Sequence, residues 1–166
     1  MTAQELKTAI EAAFRDVDYP GDTRLADSLD GGEAERVEEI FKGKRWQDYV
    51  NAPSSLWEGK CQIGQTIPFM SDWAFRYYAP LFMLALIFEY EKTAPTLAFL
   101  FFLHPPENAP GLARRYEDRM SSFSEEQLKA ILEFLQYMKE THNDNVYGEK
   151  PSLVMRHVQT FLEEAM

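Results

Sequence analysis

The feature that most constrains this chain is the stretch from Trp73 to Tyr90, apolar on nearly every side, with Arg76 the main exception. A helix without a polar face must be surrounded by other elements, so the segment predicts the central helix of a bundle. Ser71 or Asp72 can cap it. Pro80 removes an amide and crowds the carbonyl four residues back, which predicts a kink or a break. The apolar runs Tyr77–Phe88 and Ala94–Leu103 are 12 and 10 residues long. A membrane span takes about 20. Glu89, Glu91 and Lys92 separate the runs, so both are read as buried core helices.

The flanking segments carry helix punctuation. Thr2-x-x-Glu5 is a capping-box pattern, followed by Leu6, Ile10, Ala13, Phe14 and Val17 at three- and four-residue steps. Tyr19-Pro20-Gly21-Asp22 ends that helix with turn chemistry. A second helix carries Ala34, Val37, Ile40 and Phe41 and stops at Gly43; Trp46 and Tyr49 suggest a further short turn. Residues 51–70, broken by Pro53, Gly59, Gly64 and Pro68, fit a short edge strand or a loop. Thr93 and Pro95 resemble a helix opening, and residues from Leu112 to Met120 read as helical. Phe123-Ser124-Glu125-Glu126-Gln127-Leu128 combines a capping box with a hydrophobic staple and leads into a stripe of Leu128, Ile131, Leu132, Leu135 and Met138. Pro151-Ser152 opens a last helix with Leu153, Val154, Val158, Phe161 and Leu162 inward. The expectation is one all-α domain over residues 1–166, with about six to eight helices and at most one short strand or irregular segment within 51–70.

Composition supports a core and narrows the partners. Of 166 residues 45% are apolar and 14% aromatic, enough to exclude a disordered tail or a disulfide miniprotein. Asp and Glu number 27 against 17 Lys and Arg, a net charge of −10. The excess is spread: 12 acids to 7 bases over residues 1–50, 5 to 3 over 51–110, and 10 to 7 over 111–166. Phosphate backbones and anionic lipids are recognised with Lys and Arg, so nucleic acid and membrane surfaces are disfavoured. A basic protein partner is permitted by charge complementarity, while solubility alone also accounts for the charge. A single cysteine, Cys61, gives no intrachain disulfide, and the opening residues lack the apolar run of a signal peptide; the expected location is the cytoplasm.

Four pieces of the sequence also carry a resemblance. Ala74-Phe75-Arg76-Tyr77-Tyr78-Ala79-Pro80, the Tyr19-Pro20-Gly21-Asp22 turn, the Phe41…Trp46 spacing and Gln127…Ala130-Ile131…Phe134-Leu135 resemble a family of small uncharacterised bacterial proteins, a domain family of unknown function. The resemblance covers most of residues 3–138. It implies a helical fold and brings no activity and no catalytic residue.

No established catalytic pattern is present. Gly64 has no Gly-Lys-Ser/Thr after it, and there is no His-Glu-x-x-His, paired Cys-x-x-Cys or Glu-x-x-His. Asp27…Asp30-Gly31 lacks the ligand spacing of an EF-hand. His104 and His142 lie near predicted helix C-termini, where an imidazolium meets the dipole; a metal site with His157 would need distant segments to converge. Cys61 has only Lys60 as a basic neighbour and reads as an inert thiol. No metal and no cofactor are expected.

Two sets of residues invite a functional reading. Arg76 beside Tyr77 and Tyr78 is either a boundary ion pair or, with the tyrosine hydroxyls, an anion site. Tyr19 and Asp22 belong to a turn that either stops a helix or presents a recognition loop. Phe99, Phe101, Phe102 and Trp73 read as core. The expected function is a non-enzymatic interaction or regulatory module of the immunity type that masks a basic partner. The alternative is a small enzyme or ligand-binding bundle with an anion site near Arg76. The oligomeric state stays open.

Overall fold

A computed structural model describes residues 1–27, 31–60, 63–94 and 97–166; Cys61 lies outside the described residues, as does Pro95 of the expected helix opening. The helices are α1 (Ala3–Phe14), α2 (Gly31–Phe41), α3 (Ile63–Thr66), α4 (Asp72–Phe88), α5 (Tyr90–Thr93), α6 (Pro110–Ser121), α7 (Glu125–Thr141) and α8 (Pro151–Ala165). Short 3-10 turns occupy Trp46–Tyr49, Pro53–Leu56, Ile67–Phe69 and Leu100–Leu103. The fold is all-α, and β pairing among the described residues is limited to the isolated bridges Ala26–Met70 and Val146–Glu149. The chain gathers into two compact units: Met1–Arg15 with Leu100–Met166, and Asp16–Phe99.

The first unit is a set of patterned, capped helices. Both capping boxes form: Thr2 and Glu5 bond each other's backbone at the start of α1, and Ser124 and Gln127 do so at α7. Leu6, Ile10 and Phe14 of α1 are buried, α1 packs on α7, and Phe14 meets Phe123 edge-on at 6.2 Å. Gln127 also donates from Nε2 to the Ala13 carbonyl at 3.4 Å. The buried face of α7 holds Leu128, Ala130, Ile131, Phe134, Leu135 and Met138. The expected stripe is corrected at one place, because Leu132 is only half-buried while Phe134 is buried in the turn it was meant to fill.

The connection from α7 to α8 takes left-handed backbone at Asn143, Asp144 and Gly148, where short polar side chains and glycine tolerate it best, and also at the bulkier Tyr147. Asp144 then caps α8 from outside the helix, accepting from the Ser152 amide at 2.8 Å and its hydroxyl at 2.5 Å. Those bonds lower the Asp144 pKa. In α8, Val154, Val158 and Leu162 are buried as expected, but Leu153 is exposed and Phe161 half-buried. Phe101 is likewise exposed, against its expected place in the core.

The second unit is built on α4. Its residues from Ala74 to Leu86 are buried apart from Arg76, as an all-round apolar helix demands. The helix runs through Pro80 without a break. Pro80 costs one backbone hydrogen bond, about 3 kcal/mol in an exposed helix; here its neighbours Leu81, Phe82, Met83 and Leu84 are all fully buried, and their packing holds the helix together. Phe82 is the hub, with ring centroids of Phe41, Trp57, Phe75 and Phe99 all within 6.4 Å.

Short segments are tied to this helix by single polar bonds. Ser71 caps α4 by accepting from the Ala74 amide at 3.0 Å, while its hydroxyl donates to the Arg24 carbonyl at 2.6 Å. The Trp73 indole donates to the Asp18 carbonyl at 2.8 Å, and Arg24 stacks over the Trp73 ring. Glu89, at the end of α4, accepts from the Ser54 amide at 3.1 Å and so caps the 3-10 turn that Pro53 opens. Where a short strand or an irregular segment was expected within 51–70, the described residues hold 3-10 turns, α3 and, at Met70, one isolated bridge to Ala26.

Candidate functional site

The C-terminal end of α2 gathers more side-chain chemistry than any other described part of the second unit. Gly43 follows α2 with positive φ, a conformation glycine adopts without strain, and this turns the chain toward α4 residues Tyr77 and Tyr78. The Tyr78 hydroxyl is shared between the carbonyls of Phe41, at 2.9 Å, and Lys44, at 2.6 Å. Tyr19 accepts from the Gly43 amide at 2.8 Å and donates to Asp22 Oδ1 at 2.6 Å. Tyr77 donates to Gln47 Oε1 at 3.3 Å. The rings interlock as well: Tyr19 meets Tyr77 at 5.6 Å and Tyr77 meets Tyr78 at 4.9 Å, both edge-on.

The two residue sets singled out in the sequence therefore meet. Tyr19 and Asp22 belong to the same constellation as Tyr77 and Tyr78. Tyr77 and Tyr78 are buried, Tyr19 half-buried, and their hydroxyls are engaged by the chain itself. Burial raises all three phenol pKa values, that of Tyr19 to about 12 with the Asp22 carboxylate adding to the shift. Neutral phenols are what this arrangement stabilises, because each hydroxyl proton is donated to an oxygen. Arg76 is half-buried on the same helix.

Sequence reasoning passed over two lysines at this end of the unit. Lys44 Nζ donates to the Leu56 carbonyl at 3.3 Å, and Lys60 Nζ donates to the Glu39 carbonyl at 3.0 Å. The charge that acts on the Lys44 ammonium is that of Lys60. Burial first, and then Lys60, lowers the Lys44 pKa to about 8. No spacing signal marks such a pair, since the fold alone brings the residues together.

A second gathering lies in the first unit. His104 stands with Nε2 3.0 Å from Glu149 Oε2, and its ring lies 5.8 Å from that of His157. His104 follows the end of the 3-10 turn Leu100–Leu103, as expected, and has a carboxylate neighbour as well, and two of the distant histidines do converge. Burial, then the nearby His104 and Arg156, lowers the His157 pKa. His142 sits at the C-cap of α7 as expected, its amide bonded to the Met138 carbonyl. Among the described residues no group of three or more His, Cys, Asp or Glu side chains is placed to hold a metal ion. Nor is any helix among them long and apolar enough to cross a membrane.

Fold and side chains together define an all-α protein with an aromatic core and a tyrosine-locked helix end. The chain belongs to a family of unknown function, DUF6714, which it matches over residues 2–160. No curated protein and no solved structure matches it.

Proposed function

We propose that this protein is a non-enzymatic cytoplasmic interaction module that receives a basic protein partner, in the manner of a regulator or an immunity-type antidote. The observation that carries the reading is the distribution of charge. The unit of Met1–Arg15 and Leu100–Met166 holds 13 acids and 9 bases, and the unit Asp16–Phe99 holds 14 and 8. Each unit is negative by itself, so a basic surface is attracted over an extended area and not at one tail. The polar side chains first suspected of chemistry support the same view, since the tyrosine hydroxyls bond within the chain.

Affinity capture from the native host, read by quantitative mass spectrometry and followed by binding kinetics on the purified pair, tests this. The expected result is a partner with pI above about 9, whose association rate falls as salt rises. Glu133→Gln with Glu140→Gln, both exposed on α7, should slow association further. Absence of a basic partner, or an association rate indifferent to salt, would overturn the reading.

A further inference from the structure

We propose that His104, Glu149 and His157 form an acid-sensitive latch: it holds the turn Leu100–Leu103 against α8 while it carries at most one proton, and releases the turn when acid adds a second. This goes beyond the protein-interaction reading and does not depend on it.

Three segments of the first unit meet at this point. His104 follows the turn Leu100–Leu103, Glu149 lies in the connection between α7 and α8, and His157 lies on α8. His104 Nε2 stands 3.0 Å from Glu149 Oε2, and the two imidazole rings lie 5.8 Å apart, edge to face. Nitrogen and carboxylate are close without being aligned for a hydrogen bond, so their attraction is one of charge and is present when His104 holds its proton. All three side chains are half-buried. The backbone on each side is fixed. The Tyr116 hydroxyl, on α6, donates to the Leu103 carbonyl at 3.0 Å, and its ring meets Phe161 of α8 at 5.7 Å. Val146 and Glu149 exchange both backbone bonds, at 2.8 and 3.0 Å. The fold thus holds the three groups together, and repulsion among them is relieved only when the turn moves.

Charge counting sets the sign. One carboxylate faces two imidazoles, and among the described residues the charges acting on His157 are those of His104 and then of Arg156 on its own helix. The other groups at this corner do not compensate a second imidazolium. On α6, burial raises the Tyr116 phenol pKa, so that ring stays neutral in acid. At the end of α7, Lys139 acts with Lys150 on Asp144, and Asp144 is committed to Ser152. Burial, ahead of these charges, already lowers the His157 pKa. An unfolded chain takes up that proton at the ordinary 6.5 and the folded chain only below it. The stability of this corner is therefore complete above pH 6.5 and falls as the pH drops through it.

Release changes the surface. Phe101 and Leu153, one turn before His104 and His157 in their own elements, are exposed, whereas Leu103 is fully buried. Freeing the turn adds Leu103 to the exposed apolar side chains, which gives acid a means of switching a contact.

Hydrogen exchange of the full chain by mass spectrometry, at about pH 7.5 and 5.5 and corrected for the intrinsic pH dependence of exchange, tests the latch. Protection in residues 100–104 and 151–158 should fall by about threefold or more at the lower pH, while that of α1 holds. His157→Gln should abolish the fall, and Glu149→Gln should deepen it, because the one compensating carboxylate is gone. His142→Gln, at the C-cap of α7, should leave the fall unchanged. Histidine ring NMR reads the same cluster directly. His157 should titrate below 6.5 in the wild type, and its midpoint should move up toward that value in His104→Gln. If His157→Gln does not fold, the wild-type titration and the His104→Gln and Glu149→Gln variants still decide. Protection of residues 100–104 that is the same at both pH values, a fall of equal size in His157→Gln, or a His157 midpoint indifferent to His104→Gln would overturn the inference.

Discussion

The two units solve the same problem by different means. In the unit of Met1–Arg15 and Leu100–Met166, long amphipathic helices with their own caps lie along one another, and most of the order is helical. In Asp16–Phe99 one helix without a polar face is accompanied by α2 and by short turns and loops, several of them fastened by side-chain bonds to backbone. The first unit takes its definition from local rules repeated along each helix, the second from aromatic packing and from polar bonds between residues far apart in sequence. Local order of the first kind tolerates the loss of any one contact. Order of the second kind concentrates on a few side chains.

The comparison is easiest to break at its strongest point. Phe82 is fully buried among four aromatic rings, so Phe82→Ala should cost about 3–5 kcal/mol. Trp46, Trp57 and Trp73 all belong to this unit, so tryptophan fluorescence reports on it alone. The fluorescence transition in denaturant should move to lower concentration. A change below about 0.5 kcal/mol, typical of surface positions, would show that the aromatic hub does not hold the unit.

Tyr78→Phe asks whether the polar fastenings matter. It leaves the Phe41 and Lys44 carbonyls without their shared donor at a buried place, which should cost about 1–3 kcal/mol on the same fluorescence signal. An unchanged midpoint would remove the tyrosine lock from the account.

Alkaline pH probes the same fastenings without mutation. A phenol whose pKa is raised by folding stays protonated in the native state while the unfolded chain ionises near pH 10. Its contribution is complete below that pH and is lost as pH rises toward the folded value, about 12 for Tyr19. Tyr77 and Tyr78 are raised in the same direction. Lys44 acts oppositely. With its folded value at about 8, the unfolded chain binds more protons from there up to the ordinary 10.5, so its share of stability grows across that window. The tryptophan midpoint should therefore hold or rise from about pH 8 to 10 and fall above it. A decline beginning below pH 9 would contradict the sign worked out for Lys44.

The smallest effect belongs to the other unit. Ser124→Ala removes half of the α7 capping box and should cost about 1 kcal/mol by far-UV circular dichroism, with little change in tryptophan fluorescence. Loss of both signals together at that cost would mean that the two units do not respond separately.

The same contrast governs what could be read in advance. Thr2/Glu5 and Ser124/Gln127 announce their helices because a capping box is complete within four residues. The apolar surround of α4 is equally plain; of the kink or break expected at Pro80, the break is absent, because sequence rules count the lost bond and not the packing on either side of it. Leu132 and Leu153 were expected inside because a helical stripe has ill-defined edges; the centre of each face is read correctly and its margins are not. Tyr19, Asp22, Tyr77 and Tyr78 drew notice as types, yet their joining around Gly43 spans separations that no periodicity records. Lys44 drew none, and Lys60 only as a neighbour of Cys61, since a lysine in a polar turn looks like solvent-facing charge until the backbone carbonyl it serves is known.

The bond from Gln127 to the Ala13 carbonyl crosses 114 positions of sequence. On the ribosome, at about 5–20 residues per second, α1 waits roughly 6–23 s for its partner to be made. During that interval Leu6, Ile10 and Phe14 have no α7 to lie against. The contiguous segment Asp16–Phe99 is fully synthesised before α7 begins. Newly made chains thus pass through a state in which one unit can be finished while α1 still offers a bare apolar stripe. That state is where a chaperone would find its grip and where heat or overexpression would first divert the chain toward aggregates.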